Sequence, residues 1–272
     1  MKTRRLFNYP GTKRFLADKV NSICLKLKQP TLSWVEPFCG SASLFYNLNF
    51  KLADSTLNDL DSNIISMHQA CKDFTYQEYL SAVKFINEKF GDTKASKEAY
   101  YTFRKWYNEE GSKTAMKGLY LIYLSSMCIN SMLRFGPNGM NQGWGNRKYL
   151  VEEQEWNEMH ERLQDTQLTS KDYRDISIKE NSVIFLDPPY EAKDNDLYGH
   201  GFSQREFLNW LIEQKETHCK CLWLYTDVET PLADTLLSKG FKKVNLRDMV
   251  TICPTKSKDK ISAVEVMYIA LS

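Results

Sequence analysis

The sequence predicts an α/β protein built on a doubly wound, mostly parallel sheet of seven strands, with a mainly helical insertion. Three observations lead there. Short apolar runs bounded by turn residues recur along the chain and alternate with helical patterns, as buried parallel strands joined by crossover helices do. The last two runs have no helical pattern between them, which predicts an antiparallel hairpin at one edge of the sheet. The alternation is interrupted once, over residues 74–150, by a helical stretch rich in aromatic residues.

Taken in order, the first strand is expected at 33–38 (SWVEPF) and the second at 55–58 (STLN). A short third falls at 167–169, and the clearest of all at 183–187 (VIFLD). Further strands are expected at 220–226, 241–246 and 263–270. A helix is expected over 43–50, directly after a glycine turn, and another over 62–70 with Asp61 as its cap. Helices at 207–214 and 231–238 follow, the latter with Pro231 early and Gly240 just past its end. The resulting organisation is a sheet domain formed by 1–73 and 151–272, and an inserted subdomain at 74–150. The insertion ends in a glycine-rich stretch, 135–145 (FGPNGMNQGWG), that reads as a hairpin or a loop.

At 272 residues the chain has room for one large domain with such an insertion. Its 42% hydrophobic and 26% charged residues are those of an ordinary globular protein. No apolar run reaches the ~18 residues of a membrane span, and no signal core follows the basic N-terminus. The seven scattered cysteines, an odd number, read as reduced thiols in a cytoplasmic protein. Cys219 and Cys221 with His218 lack a second ligand pair, so no metal site is expected.

The net charge of +2 conceals a local asymmetry. Between Gly111 and Leu150 stand Lys113, Lys117, Arg134, Arg147 and Lys148 with no acid, whereas 151–165 holds six acids and one arginine. A basic stretch interleaved with Phe135, Trp144 and Tyr149 suits a phosphate backbone and unstacked bases. A solvated loop beside an acidic helix would look the same.

Three motifs carry chemistry. Asp187-Pro188-Pro189-Tyr190 follows the clearest strand, and open α/β sheets bind ligands beyond the carboxyl ends of their strands. The prolines hold the turn extended, and a carboxylate with a neighbouring carbonyl can accept two hydrogen bonds from one amino group. A capped turn ending a core strand is the plainer reading. The second motif, Glu36 to Leu44 (EPFCGSASL), has one glycine, Gly40, where backbone can approach a ligand closely. About twenty residues on, Asp59 stands where an acid commonly accepts from ribose hydroxyls, with Asp61 the other candidate. This spacing specifies a nucleoside and leaves a nicotinamide or another nucleoside cofactor open. The third, 9–13 (YPGTK), is by itself a turn before a helix.

Together, in this order, the motifs resemble the Dam-type family of DNA adenine-N6 methyltransferases. The 100–108 run (YYTFRKWYN) and the 130–135 run (NSMLRF) are similar to its recognition helix and to the segment presenting an arginine to DNA. The resemblance implies a Rossmann-like methyltransferase fold and S-adenosylmethionine as cofactor, with S-adenosylhomocysteine as product and no metal. It implies cofactor contacts from Tyr9, Gly11, Lys13, Glu36, Phe38, Gly40, Asp59, Tyr173 and Asp187. Asp187, Pro188, Pro189 and Tyr190 would form the catalytic motif on a flipped adenine. The insertion would be the target-recognition subdomain, with DNA contacts from Arg104, Ile129, Asn130, Arg134, Asn138, Arg147 and Lys148. Arg134 could read guanine or clamp a phosphate. Ile129 stands where the family often has an aromatic wedge, so a GATC target is not assumed. The expected partner is double-stranded DNA, bound by a monomer or weak dimer in the cytoplasm of a bacterium or phage-infected host. Cytosine-N4 methylation, or a DNA-binding relative without activity, are the alternatives.

Overall fold

The computed structural model describes residues 4–9, 11–27, 32–129, 133–145, 149–189, 202–228, 233–252 and 260–271. The sheet strands are β1 (Leu32–Glu36), β2 (Leu52–Asn58), β5 (Thr166–Thr169), β6 (Ser182–Leu186), β7 (Leu222–Val228), β8 (Lys242–Ile252) and β9 (Lys260–Leu271). A separate two-stranded hairpin pairs β3 (Phe135–Gly136) with β4 (Gly139–Met140). The helices are α1 (Ala17–Leu25), α2 (Ser62–Asp73), α3 (Tyr76–Phe90), α4 (Lys97–Glu109), α5 (Lys117–Ser126), α6 (Glu153–Leu163), α7 (Gln204–Thr217) and α8 (Ala233–Ser238).

The large sheet has seven strands in the order β5-β2-β1-β6-β7-β9-β8. β1, β6 and β7 run parallel, and β9 and β8 close one edge antiparallel, as the missing crossover helix required. Every expected strand is present. Asp61 caps α2 through a 2.9 Å bond from the Asn63 N–H. Gly240, at φ +84°, ends α8 in the conformation that costs glycine least.

The helix expected over 43–50 does not form. Only a single 3-10 turn, Phe45–Asn47, is present. The Asn47 side-chain Nδ2 donates to the Ser43 carbonyl at 2.8 Å, the acceptor that its own backbone N–H would reach in an α-helix. Leu48 is then extended, and the Asn49 N–H is taken by Asn21 Oδ1 at 3.0 Å.

The chain forms two compact units. The first comprises Met1–Pro30, Cys39–Lys51 and Leu57–Lys171. In it α5 lies on α2 so closely that a Cβ on Gly118 would stand 2.0 Å from the Ser66 carbonyl oxygen. Tyr79 stacks on Trp156 with ring centroids 4.8 Å apart, and Phe103, Trp106 and Tyr120 fill the space among α3, α4 and α5. Thr75 and Glu78 form a capping box that starts α3.

The second unit comprises Thr31–Phe38, Leu52–Thr56 and Asp172–Ser272. All five residues of β6 are buried, which is why its run reads as continuously apolar. Its neighbours in the core include Trp223, Tyr225, Phe207 and Leu211. Arg247 of β8 pairs with the buried Glu265 of β9 at 2.7 Å. Among the described residues no helix is long and apolar enough to cross a membrane.

Candidate active site

In the first unit, Gly40 is the centre of the 36–44 motif. Its φ is +47°, a region that a side chain disfavours. Its N–H donates to Asp59 Oδ2 at 2.9 Å, and its carbonyl is 2.8 Å from His68 Nε2. The Tyr9 ring closes the third side, 3.0 Å from where a Cβ would be. Cys39 adds a backbone bond to the Asn58 carbonyl at 2.8 Å, fastening the turn to the end of β2.

Asp59 also accepts from the Asp61 N–H at 3.0 Å. Burial pushes its carboxyl up to about 6, while the Asp61 and Gly40 N–H groups pull it down. Asp61 is occupied as the α2 cap.

The 9–13 run docks on the same turn. The Lys13 N–H donates to Ser43 Oγ at 3.1 Å, Thr12 Oγ1 lies 2.7 Å from the same atom, and Lys13 Nζ donates to the Gly11 carbonyl at 2.9 Å. Lys13 is buried and Gly11 is exposed at φ +75°.

His68 was not singled out from the sequence. It lies on the buried face of α2 with Ile64 and Cys71, and an imidazole within an apolar helical stripe was the available signal. Tyr46 OH meets its Nδ1 at 2.8 Å. Burial lowers its pKa to about 4, so the ring is neutral at physiological pH and its two nitrogens serve Tyr46 and the Gly40 carbonyl. Asn58 was also missed: it accepts from Thr169 Oγ1 at 2.8 Å and from the Lys171 N–H at 2.9 Å, holding the segment that follows β5.

In the second unit, Glu36 ends β1, buried, and accepts from Trp34 Nε1 at 3.0 Å. Phe38 packs 5.2 Å from the Tyr173 ring, and Tyr173 stands edge-on to Trp210 at 5.0 Å. Phe207 and Phe202 complete this aromatic cluster. Tyr173 begins a 3-10 turn capped by Asp172.

Asp187 and Pro189 are half-buried and Pro188 is buried, immediately beyond the carboxyl end of β6. Asp187, Pro188 and Pro189 are thus at the strand tip, outside the body of the sheet. Asp187 Oδ1 accepts from Thr226 Oγ1 at 2.9 Å. The adjacent Asp227 is buried and accepts from Gln204 Nε2 at 2.6 Å, from the Val228 N–H at 2.7 Å and from the Tyr225 hydroxyl. Burial is the main cause that pushes its carboxyl up to about 6.

Of the residues expected at DNA, Ile129 is 46% exposed, an apolar side chain presented to solvent. Arg134 and Asn138 are exposed, Asn138 at the tip of the β3–β4 hairpin. Arg104 lies over the Tyr101 ring at 4.7 Å and donates to the Gln142 carbonyl at 2.7 Å. A groove of about 870 Å³ opens between α4 and the hairpin, lined by Tyr101, Arg104, Lys105, Asn108, Glu109 and the tip residues 137–139. Tyr190, Asn130, Arg147 and Lys148 lie outside the described residues.

A family model for the D12 class N6 adenine-specific DNA methyltransferase matches residues 9–252. The type II methyltransferase M.CviBI of Paramecium bursaria Chlorella virus NC1A is 27% identical over 219 residues, covering 78% of this chain and 80% of the relative. The DNA adenine methylase of Escherichia coli (strain K12) is 31% identical over 160 residues, 57% of this chain and 55% of the relative. That of Haemophilus influenzae (strain ATCC 51907 / DSM 11121 / KW20 / Rd) is 24% identical over 211 residues, 76% of this chain and 71% of the relative.

Proposed function

Because this chain belongs to the D12 class N6 adenine-specific DNA methyltransferases, and so methylates adenine in DNA, we propose the following division of labour among its residues. The cofactor is S-adenosylmethionine. Tyr9, Gly11, Lys13, Glu36, Phe38, Gly40, Asp59, Tyr173 and Asp187 hold it, and S-adenosylhomocysteine is released. These residues suit such a nucleoside. Gly40 leaves backbone bare of a side chain, Asp59 offers carboxylate lone pairs to a ribose diol, and Phe38 with Tyr173 offers aromatic surface to a purine. When bound, the cofactor supplies an electrophilic methyl group.

Asp187 and the Pro188 carbonyl accept the two N–H groups of the adenine amine. That amine is a poor nucleophile because its lone pair is delocalised into the ring. Two acceptors favour a pyramidal nitrogen whose lone pair is available for attack. Pro189 keeps the turn extended, and Tyr190 stacks on the base. The adenine must leave the duplex for this, since its amine cannot be aligned within the stack.

Residues 74–150 serve target recognition, and 1–73 with 151–272 catalysis. Ile129 unstacks bases, Arg134 and Asn138 meet base edges or phosphates, and Asn130, Arg147 and Lys148 add polar and basic contacts. Arg104 acts in the same region, by holding the hairpin. The protein works in the cytoplasm on double-stranded DNA, as a monomer or weak dimer.

The observation that carries this reading is the half-buried Asp187 at the tip of β6, its carboxylate fixed by a hydrogen bond from Thr226. The test is Asp187→Asn, assayed with unmethylated plasmid DNA and methyl-labelled S-adenosylmethionine. Methyl transfer at saturating cofactor should fall by more than about 100-fold, a loss larger than any weakening of cofactor binding that calorimetry records. Transfer at the wild-type rate would remove Asp187 from the mechanism.

A further inference from the structure

We infer that Thr226 is a positioning residue for methyl transfer: its hydroxyl fixes the orientation of the Asp187 carboxylate. The inference rests on the role given to Asp187 above.

Strand register brings the two together. β6 and β7 are parallel, with Leu186 opposite Tyr225, so the next position sets Thr226 beside Asp187. Thr226 is fully buried. Its Oγ1 lies 2.9 Å from Asp187 Oδ1 and 3.2 Å from the Leu186 carbonyl. A hydroxyl carries one proton, and the nearer, charged acceptor takes it.

The two side chains differ in what they can hold by themselves. The terminal torsion of an aspartate is broad, so a carboxylate at a strand tip has no intrinsic preference for one plane. Threonine is branched at Cβ and stiff at χ1, and here it is enclosed by the core. A donor on a rigid side chain therefore sets the plane of a carboxylate on a loose one. Asp187 must accept an N–H from a base at a defined angle, and that angle is what Thr226 holds. The neighbouring Asp227 does not compete for the hydroxyl, because its carboxylate is engaged by Tyr225, Gln204 and the Val228 N–H.

The experiment compares Thr226→Val, Thr226→Ser and Asp187→Asn in the full-length protein. Single-turnover methyl transfer is followed on unmethylated plasmid DNA with labelled S-adenosylmethionine. Valine keeps the shape and removes the donor, and the rate should fall about 10- to 100-fold while the dissociation constants for cofactor and DNA stay within twofold. Serine restores the donor and should return the rate to within threefold of wild type. If Thr226→Val does not fold, Thr226→Ala is read in the same way. A loss shared between rate and binding, or a serine variant as slow as valine, would mean packing alone and overturn the inference. With Asp187→Asn inactive, a valine variant at the wild-type rate also overturns it and leaves Asp187 catalytic. An active Asp187→Asn would fault the assignment of Asp187 itself.

Discussion

Asn108 and Met140 exchange two hydrogen bonds: Asn108 Nδ2 donates to the Met140 carbonyl at 2.9 Å, and the Met140 N–H donates to Asn108 Oδ1 at 2.9 Å. A side-chain amide here does what a neighbouring strand would do. β4 has β3 on one edge and α4 on the other. Tyr100 and Arg104, eight and four residues before Asn108 on the same face of α4, extend the seam by donating to the Gln142 carbonyl at 2.9 and 2.7 Å.

A two-stranded hairpin this short is marginal alone, so the seam should decide its order. Asn108→Ala is expected to cost about 1–3 kcal/mol locally, for two lost hydrogen bonds. Amide exchange over 135–142 should accelerate, and affinity for duplex DNA should fall while the thermal midpoint of the whole chain changes little. Unchanged exchange would mean that the hairpin holds without α4.

Gly40→Ala tests the nucleoside turn. The new methyl group would sit 3.0 Å from the Tyr9 ring at a φ of +47°. The backbone penalty is about 1–2 kcal/mol. Affinity for S-adenosylmethionine, measured by calorimetry, should drop at least tenfold, because the turn must move from the place where Asp59 and His68 hold it. Removing the ring as well, in Tyr9→Ala/Gly40→Ala, should relieve the crowding but not the torsional part, and is read against Tyr9→Ala alone because Tyr9 is itself placed at the cofactor. Equal affinity in wild type and Gly40→Ala would show that the turn is not at the cofactor.

Asp227 should leave a signature in the pH dependence of stability. Its folded pKa is raised to about 6, above the ordinary carboxyl value, so the folded protein binds this proton more tightly than the unfolded chain. Its contribution is therefore fully present below about pH 4 and is lost as pH rises through 6. Asp227→Asn removes that loss. The variant should melt above wild type at pH 8, by roughly 3 °C for each kcal/mol restored, and the gap should close as pH falls through 6. His68, lowered to about 4, works in the opposite direction but is common to both proteins and cancels in the difference. A gap independent of pH would assign the effect to packing rather than charge.

The sheet was legible because most of its strands are buried on both faces, and β6, buried at every position, is the clearest case. β8 runs on to Ile252 rather than ending at 246; it is the edge strand of the sheet, paired on one side with β9. The 43–50 segment misled because its apolar residues suit a helix, while Asn47 and Asn21 capture the backbone groups a helix would need. The position of Asp187, Pro188 and Pro189 beyond the end of β6 was legible because the apolar run before them is local in sequence. His68, Asn58, Thr226 and Asn108 escaped because their partners lie 22 to 113 residues away in the chain, set by strand register and helix packing rather than by any period.

Asp59 meets two backbone N–H groups, one on each oxygen. Each oxygen keeps a second lone pair and, once ionised, has no proton of its own to offer. A ribose with both hydroxyls intact brings two donors to that corner. The same sugar with a phosphate on either hydroxyl brings negative charge against negative charge. In the role proposed for it, Asp59 thus sorts adenosine compounds before any chemistry begins, admitting the bare diol and refusing its phosphorylated counterpart.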